Sequence, residues 1–427
     1  MEFKIRDDIE IKSLSFRTNE IVQYTNKDIA RYVSYFLDKI NSIADLSKPI
    51  GVKLGHLSFV SVCGMLALVK SGRDYAIIYH QNLDLREDID HLFSHVFYLG
   101  PFNDRNEDVI NFEIQGAEHT INTDLNFIFH PTQIVYELPE NSTSLEVLTT
   151  SGEIESSSVN AAMDHYFVED DYCVFHRPMQ HIGVATLCIY PALFKAKTII
   201  LCLDKEEWTA EIDSATHIHF GYSMIRDKWP MPKKLRMLTT GGYDFNQEII
   251  AYVTNKSNIE NIVDCYGTKN CPPPLAIRHL KISNYPIPFK WINKIIKPHV
   301  YNDLLLLTSA IPGLLKCKDN DYLDFRKTQD TAFEVDETTL YLKVIRNIDQ
   351  KNIISNVRMH HSTFADHSFM QFIKDDTDID LKLAFYYDNG IFYPNILVNQ
   401  EELDQCIKYV KDHDIEAVVY VKHNDNN

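Results

Sequence analysis

The stretch PIGVKLGHLSFVSVCGMLALVKSGRDYAIIY, residues Pro49–Tyr79, decides the fold class. Pro49–Leu54 reads as a short buried strand. Leu57–Val69 is apolar almost throughout and reads as a buried helix, stopped by Ser71 and Gly72. Ala76–Tyr79 is again a strand, and strand, helix and strand in that order predict a right-handed parallel crossover. Upstream, Thr25–Asp28 offers a helix start, with Ile29, Val33, Phe36 and Ile40 following at helical spacing. Downstream the rhythm returns with a strand at Val147–Thr149, a turn, a helix from Val159 and a strand at Thr198–Leu201. This alternation predicts a layered α/β architecture.

Composition bounds the rest. A chain of 427 residues exceeds one ordinary core, so two or three domains are expected. Its 45% hydrophobic and 24% charged residues are those of a soluble globular protein. A net charge of −18 argues against general nucleic-acid binding, which needs an excess of Lys and Arg; Lys233-Lys234-Leu235-Arg236 reads as a solvated loop. Leu57–Val69 is too short for a membrane span, and the opening MEFKIRDD has no apolar secretory segment. Cysteines without a CxxC pair, such as Cys188 and Cys202 in apolar runs, read as buried reduced thiols and predict a cytoplasmic location.

The C-terminal part changes character. Leu381–Tyr387 reads as a strand, Asp388-Asn389-Gly390 as a turn and Ile391 as the start of a second strand. Gln400–His413 follows as a helix and Ala417–Val421 as a strand. These form a small α+β unit, with a boundary expected near Arg346–Asp349.

Short motifs succeed one another along the chain. Tyr24–Gln81 gives helix, strand, helix and strand. Leu148-Thr149-Thr150-Ser151-Gly152 reads equally as a strand-to-helix turn that points N–H groups at phosphate and as an ordinary turn with serine capping groups. Pro178–Gly183 precedes Tyr190–Ala196, and then come Leu238-Thr239-Thr240-Gly241-Gly242, Asp264-Cys265-Tyr266-Gly267-Thr268, Thr328-Gln329-Asp330 and Arg346. In this order they resemble the adenylate-forming, acyl-CoA synthetase-like superfamily.

The resemblance implies an α/β fold: a large AMP-binding-like domain of layered sheets and helices at 1–345, and a small α+β lid at 346–427. The hinge would lie near 346–350, at Asp349. It implies ATP-dependent activation of a small carboxylic acid as an acyl-adenylate, then transfer to a thiol or amine. Thr150, Ser151 and Gly152 would hold phosphates, and Gly241 and Gly242 would let adenine approach. Tyr266, with Gly267 and Thr268, would stack on the base. Asp330 would accept from both ribose hydroxyls, Arg346 would meet the ribose or α-phosphate, and His181 would lie at the acyl pocket. ATP or AMP with Mg²⁺ would be the cofactors.

Departures accompany the match. Ser158 replaces the family's loop lysine, and Glu153 and Glu155 would repel a triphosphate. Lys269 and Asn270 stand where a Mg²⁺-holding glutamate is usual, and an amide is a poorer ligand for that cation. Gln329 and Ile345 replace glycines, and no Gly-Lys motif surrounds Lys422. Lys269 or a lid lysine is left to restore positive charge. Two readings stay open: a ligase of reduced activity, or a catalytically inactive binding or assembly module with a protein partner. His217 and His219 put two imidazoles on one strand face without a third ligand and read as exposed strand histidines, so no metal site is assigned. His360, His361 and His367 read the same way.

Overall fold

The computed structural model describes residues 2–15, 20–78, 91–100, 124–138, 144–149, 151–176, 182–202, 205–221, 224, 229–241, 258–268, 271–280, 289–301, 304–309, 325–336, 339–343, 357–359, 363–365, 381–388, 391–412 and 418–421. The chain opens with β1 (Glu2–Lys4), β2 (Glu10–Ser15), β3 (Glu20–Thr25) and α1 (Asn26–Asn41). Thr25 and Asp28 close a capping box at the start of α1, and Ile29, Val33, Phe36 and Ile40 bury one stripe of it. Next come β4 (Ile50–Leu54), α2 (Phe59–Ser71) and β5 (Tyr75–Ile78), with β4 and β5 parallel, as the spacing predicts. Ser58 Oγ accepts the Ser61 N–H at 3.2 Å to cap α2, and Gly72 ends it in the left-handed region at φ 67. Strands β6 (His95–Leu99), β7 (Asn126–Ile128), β8 (Val135–Leu138) and β9 (Glu146–Thr149) follow. A five-stranded sheet results, in the order β6-β4-β5-β8-β9.

Helix α3 (Gly152–His165) starts well before the expected Val159, because Ser151 supplies the cap directly after β9. Then come β10 (Tyr172–Phe175), a π turn at Ala185–Ile189, α4 (Tyr190–Lys195), β11 (Thr198–Leu201), α5 (Lys205–Glu211) and β12 (His217–His219). After them run β13 (Lys234–Gly241), β14 (Asn258–Thr268), β15 (Cys271–His279), β16 (Phe289–Trp291), β17 (Ile296–Tyr301), β18 (Leu304–Ser309), β19 (Phe325–Asp336) and β20 (Thr339–Lys343). They join β2 and β3 in a thirteen-stranded sheet, β17-β18-β19-β20-β16-β15-β14-β13-β12-β10-β11-β2-β3. From β2 to β14 along this order neighbours are parallel; β14, β15, β16 and β20 then pair antiparallel. The main core joins the inner faces of both sheets to α1, α2, α3 and the π turn, through Val52, Phe36, Met65, Val159, Leu187 and Met237. Trp208, Ile218, Leu238 and Ile262 form a second cluster involving α5 and the other face of the large sheet. Lys234–Arg236 is strand rather than solvated loop, since Arg236 pairs with buried Asp171.

Beyond residue 356 the described strands pair only with one another. β21 (Val357–Met359) meets β22 (Thr363–Ala365), and β23 (Leu381–Asp388), β24 (Ile391–Val398) and β25 (Val418–Val421) form a sheet with α6 (Leu403–Asp412) preceding β25. The expected boundary at Arg346–Asp349 lies outside the described residues. No described helix is long and apolar enough to cross a membrane. The described cysteines are buried and form no disulfide.

Candidate active site

Parallel strands end together at one edge of the large sheet, the place where open α/β sheets hold ligands. β13 ends at Gly241 and β14 at Thr268, with Gly241 opposite Cys265. A Cβ on Gly241 would stand 2.7 Å from the Cys265 carbonyl oxygen, so only glycine permits this approach. The register then slips between Tyr266 and Thr268, and a Cβ on Gly267 would meet the Pro273 nitrogen at 2.5 Å. Thr268 Oγ1 accepts the Cys271 N–H at 3.2 Å and braces the turn. Tyr266 is 3% exposed; its ring lies 6.0 Å from that of Phe289 and 6.3 Å from that of Trp291, in a cluster shared with Ile154 of α3. The fold therefore gathers Gly241, Tyr266, Gly267 and Thr268, and brings the first turn of α3 against them.

That first turn is already closed. Gly152 N–H donates to the His130 carbonyl at 3.0 Å, Glu153 N–H to Ser151 Oγ at 3.1 Å and Ile154 N–H to the Ser151 carbonyl at 3.1 Å. A Cβ on Gly152 would lie 2.5 Å from the same His130 oxygen. The donors that a helix start offers to phosphate are thus spent on the protein's own oxygens. His130 was invisible to motif reading, because the contact joins two turns distant in sequence.

The residues after the turn serve packing. Ser158, fully buried, donates to the Pro272 carbonyl at 2.7 Å; Ser157 donates to Asn293 Oδ1 at 3.0 Å, and Thr186 of the π turn to the Pro273 carbonyl at 2.8 Å. These bonds fasten α3 and the π turn onto β15 and the turn after β16. The expected repulsion from Glu155 is corrected. Its carboxyl is 1% exposed, receives the Thr149 hydroxyl at 3.4 Å, and is pushed by burial to a pKa of about 8, so it is neutral at pH 7. Glu153 alone keeps a partly exposed position.

His217 and His219 are likewise corrected: both are buried, because β12 lies between β10 and β13 with side chains packed on both its faces. Thr239 Oγ1 donates to the Ile218 carbonyl at 3.2 Å and lies 3.3 Å from both His217 Nε2 and His219 Nδ1. Asp171, Cys173 and His217 gather their donor atoms within 4.8 Å of one another. The Asp171 carboxylate is nevertheless filled: it accepts the Val168 N–H at 2.8 Å, the Thr216 hydroxyl at 2.9 Å, Arg236 Nε at 3.0 Å and Arg236 Nη2. Four donors occupy its lone-pair directions, leaving none for a metal. Burial opposes its charge, but His217 and Arg236 bring its pKa down to about 2, while burial lowers that of His217. This network stands at the start of β10, the opposite end from Gly241.

Asp330 falls within β19. Thr150, His181, Gly242, Lys269, Asn270, Arg346, Asp349, Lys422, His360, His361 and His367 lie outside the described residues.

No protein-family profile matches the chain, and no curated protein sequence does. Solved structures do match along nearly the whole length. MenE of E. coli with bound OSB-AMS shares 11% identity at a TM-score of 0.56, covering 99% of this chain and 94% of that one. MenE of Bacillus subtilis in complex with ATP and magnesium ion shares 11% at 0.59, covering 95% and 91%. The amide bond synthetase McbA from Marinactinospora thermotolerans shares 13% at 0.58, covering 98% and 94%. These are adenylate-forming proteins, and at such identities the likeness is one of fold. This chain has the adenylate-forming fold.

Proposed function

We propose that this protein is a carboxylate-activating ligase of the acyl-adenylate-forming kind, with reduced turnover, holding ATP or AMP chiefly through the adenosine half. Gly241, Tyr266, Gly267 and Thr268 stand together at the strand ends and support a nucleotide crevice there. The ATP and magnesium bound by the Bacillus subtilis neighbour support the cofactor pair. A small carboxylic acid and a thiol or amine acceptor complete the reading, with a lid at 346–427 hinged near Asp349, Arg346 and Asp330 on the ribose side, and a cytoplasmic setting.

The closed first turn of α3 carries the claim of slow adenylation. With Gly152 N–H on His130 and Ser158 in the interior, the phosphates lose a cradle and a cation. Losing one preorganised donor costs a factor of ~10² to 10³ in turnover. ATP–pyrophosphate exchange against a panel of carboxylic acids should therefore be weak; brisk exchange with any of them would overturn the reading. The same closure, together with Tyr266 at 3% exposure, favours a second reading as a binding or assembly module without adenylation. That reading expects no thermal shift with ATP, AMP or Mg²⁺.

A further inference from the structure

One end of the thirteen-stranded sheet is β3, which pairs with β2 alone among the described strands. An edge strand leaves N–H and C=O groups open along its free side. Proteins blunt such strands with Pro, Lys, a bulge or a covering element. None of these is found at β3 among the described residues. Its sequence, Glu-Ile-Val-Gln-Tyr-Thr, holds neither Pro nor Lys, and its register with β2 runs without a shift from Thr25 to Glu20. Ile, Val, Tyr and Thr give it a high strand propensity. On one face the Tyr24 ring stacks on Phe59 at 3.8 Å and stands edge-on to Tyr32 of α1 at 6.4 Å. On the other face Ile21 is 46% exposed, with Gln23 and Thr25 exposed beside it.

Charge selects what fits this edge. Glu20 stands at one end of β3, and Lys27 lies just past the other end, in the first turn of α1. Both are exposed, and neither has an ion-pair partner among the described residues. Asp28 is already engaged: it accepts the Thr25 N–H and hydroxyl, each at 2.9 Å, and lies 3.5 Å from Arg31. A second β3 laid parallel would set Glu20 against Glu20. Laid antiparallel about a two-fold axis, it sets each Glu20 end against a Lys27 end, so the strand complements itself. With Gln23 on the axis, Ile21 faces Thr25 of the second copy and Val22 faces its Tyr24.

We propose that the protein self-associates through this edge, two copies joining β3 to β3 antiparallel so that one large sheet continues into the other. The surface is independent of the nucleotide crevice and of the reading given to it. A six-residue edge is small for a permanent dimer, so monomer and dimer exchange with concentration.

Sedimentation velocity of the full chain, up to about 100 µM, should show a reversible dimer and no larger species, since a two-fold contact closes on itself. Ile21→Lys should leave monomer alone. Glu20→Lys makes both symmetric charge pairs repulsive and should weaken the dimer about tenfold. Glu20→Lys combined with Lys27→Glu restores opposite signs and should recover the original dimer. All three positions are exposed, so the variants retain the fold. A chain that stays monomeric would leave the edge to another partner and overturn the proposal. So would a dimer indifferent to Ile21→Lys, or a double variant that associates no better than Glu20→Lys.

Discussion

Glu155 is a carboxyl group held where water does not reach, and its chemistry sets a pH dependence. Its folded pKa is about 8, above the ordinary 4.5. Between those values the unfolded chain releases the proton and the folded chain keeps it, so stability falls as pH rises from 4.5 to 8. Glu155→Gln abolishes that loss and should stabilise the protein by up to roughly 4 kcal/mol at pH 8, and by little at pH 5. Urea unfolding at the two pH values checks this; a pH-independent gap would sink it. Gly267 makes the steric counterpart. Alanine there drives a Cβ onto the Pro273 backbone and should cost about 1–3 kcal/mol, seen as a lowered Tm. The Tyr266-Gly267 pair was legible in the sequence, but the reason for its glycine was not, since Pro273 approaches from the next strand.

At the scale of elements, α3 separates what spacing reveals from what it hides. The crossover at Pro49–Tyr79 was readable because apolar residues fill it and Gly72 punctuates it. The start of α3 was not, because a run of Ser and Glu looks polar, while here Glu155, Ser157 and Ser158 are buried, each with a bond to another part of the fold. β12 misled in the same way: alternating His, Ile and His suggests one wet face, but neighbouring strands and packed side chains leave no face wet. Ser158→Ala should strand the Pro272 carbonyl and cost about 1–3 kcal/mol. Ser158→Lys, which restores the family's residue on paper, should destabilise further, since it places an ammonium at a fully buried position. Pyrophosphate exchange should not recover; recovery would show that the helix start can open.

For the whole molecule, the order of weak motifs along the chain was the readable signal, and the shared fold at 10–13% identity bears out the fold they jointly implied. The ligand could not be read so well, since the closed turn depends on Gly152 meeting His130 across the fold. Thermal shifts give the global test. AMP and ATP at a hundredfold excess over Kd should each stabilise by ~2.7 kcal/mol, with affinity for ATP no higher than for AMP. A clear preference for the triphosphate would contradict the closed turn. The thirteen-stranded sheet has one more consequence, for the order of events during synthesis. β2 (Glu10–Ser15) forms a local hairpin with β3, but its other edge pairs with β11 (Thr198–Leu201). Translation needs roughly 10–40 s to deliver that partner. Until it emerges, the hairpin leaves the ribosome with Ile11 and a row of backbone donors and acceptors uncovered, and the large sheet can close only after the nascent chain has grown past β11.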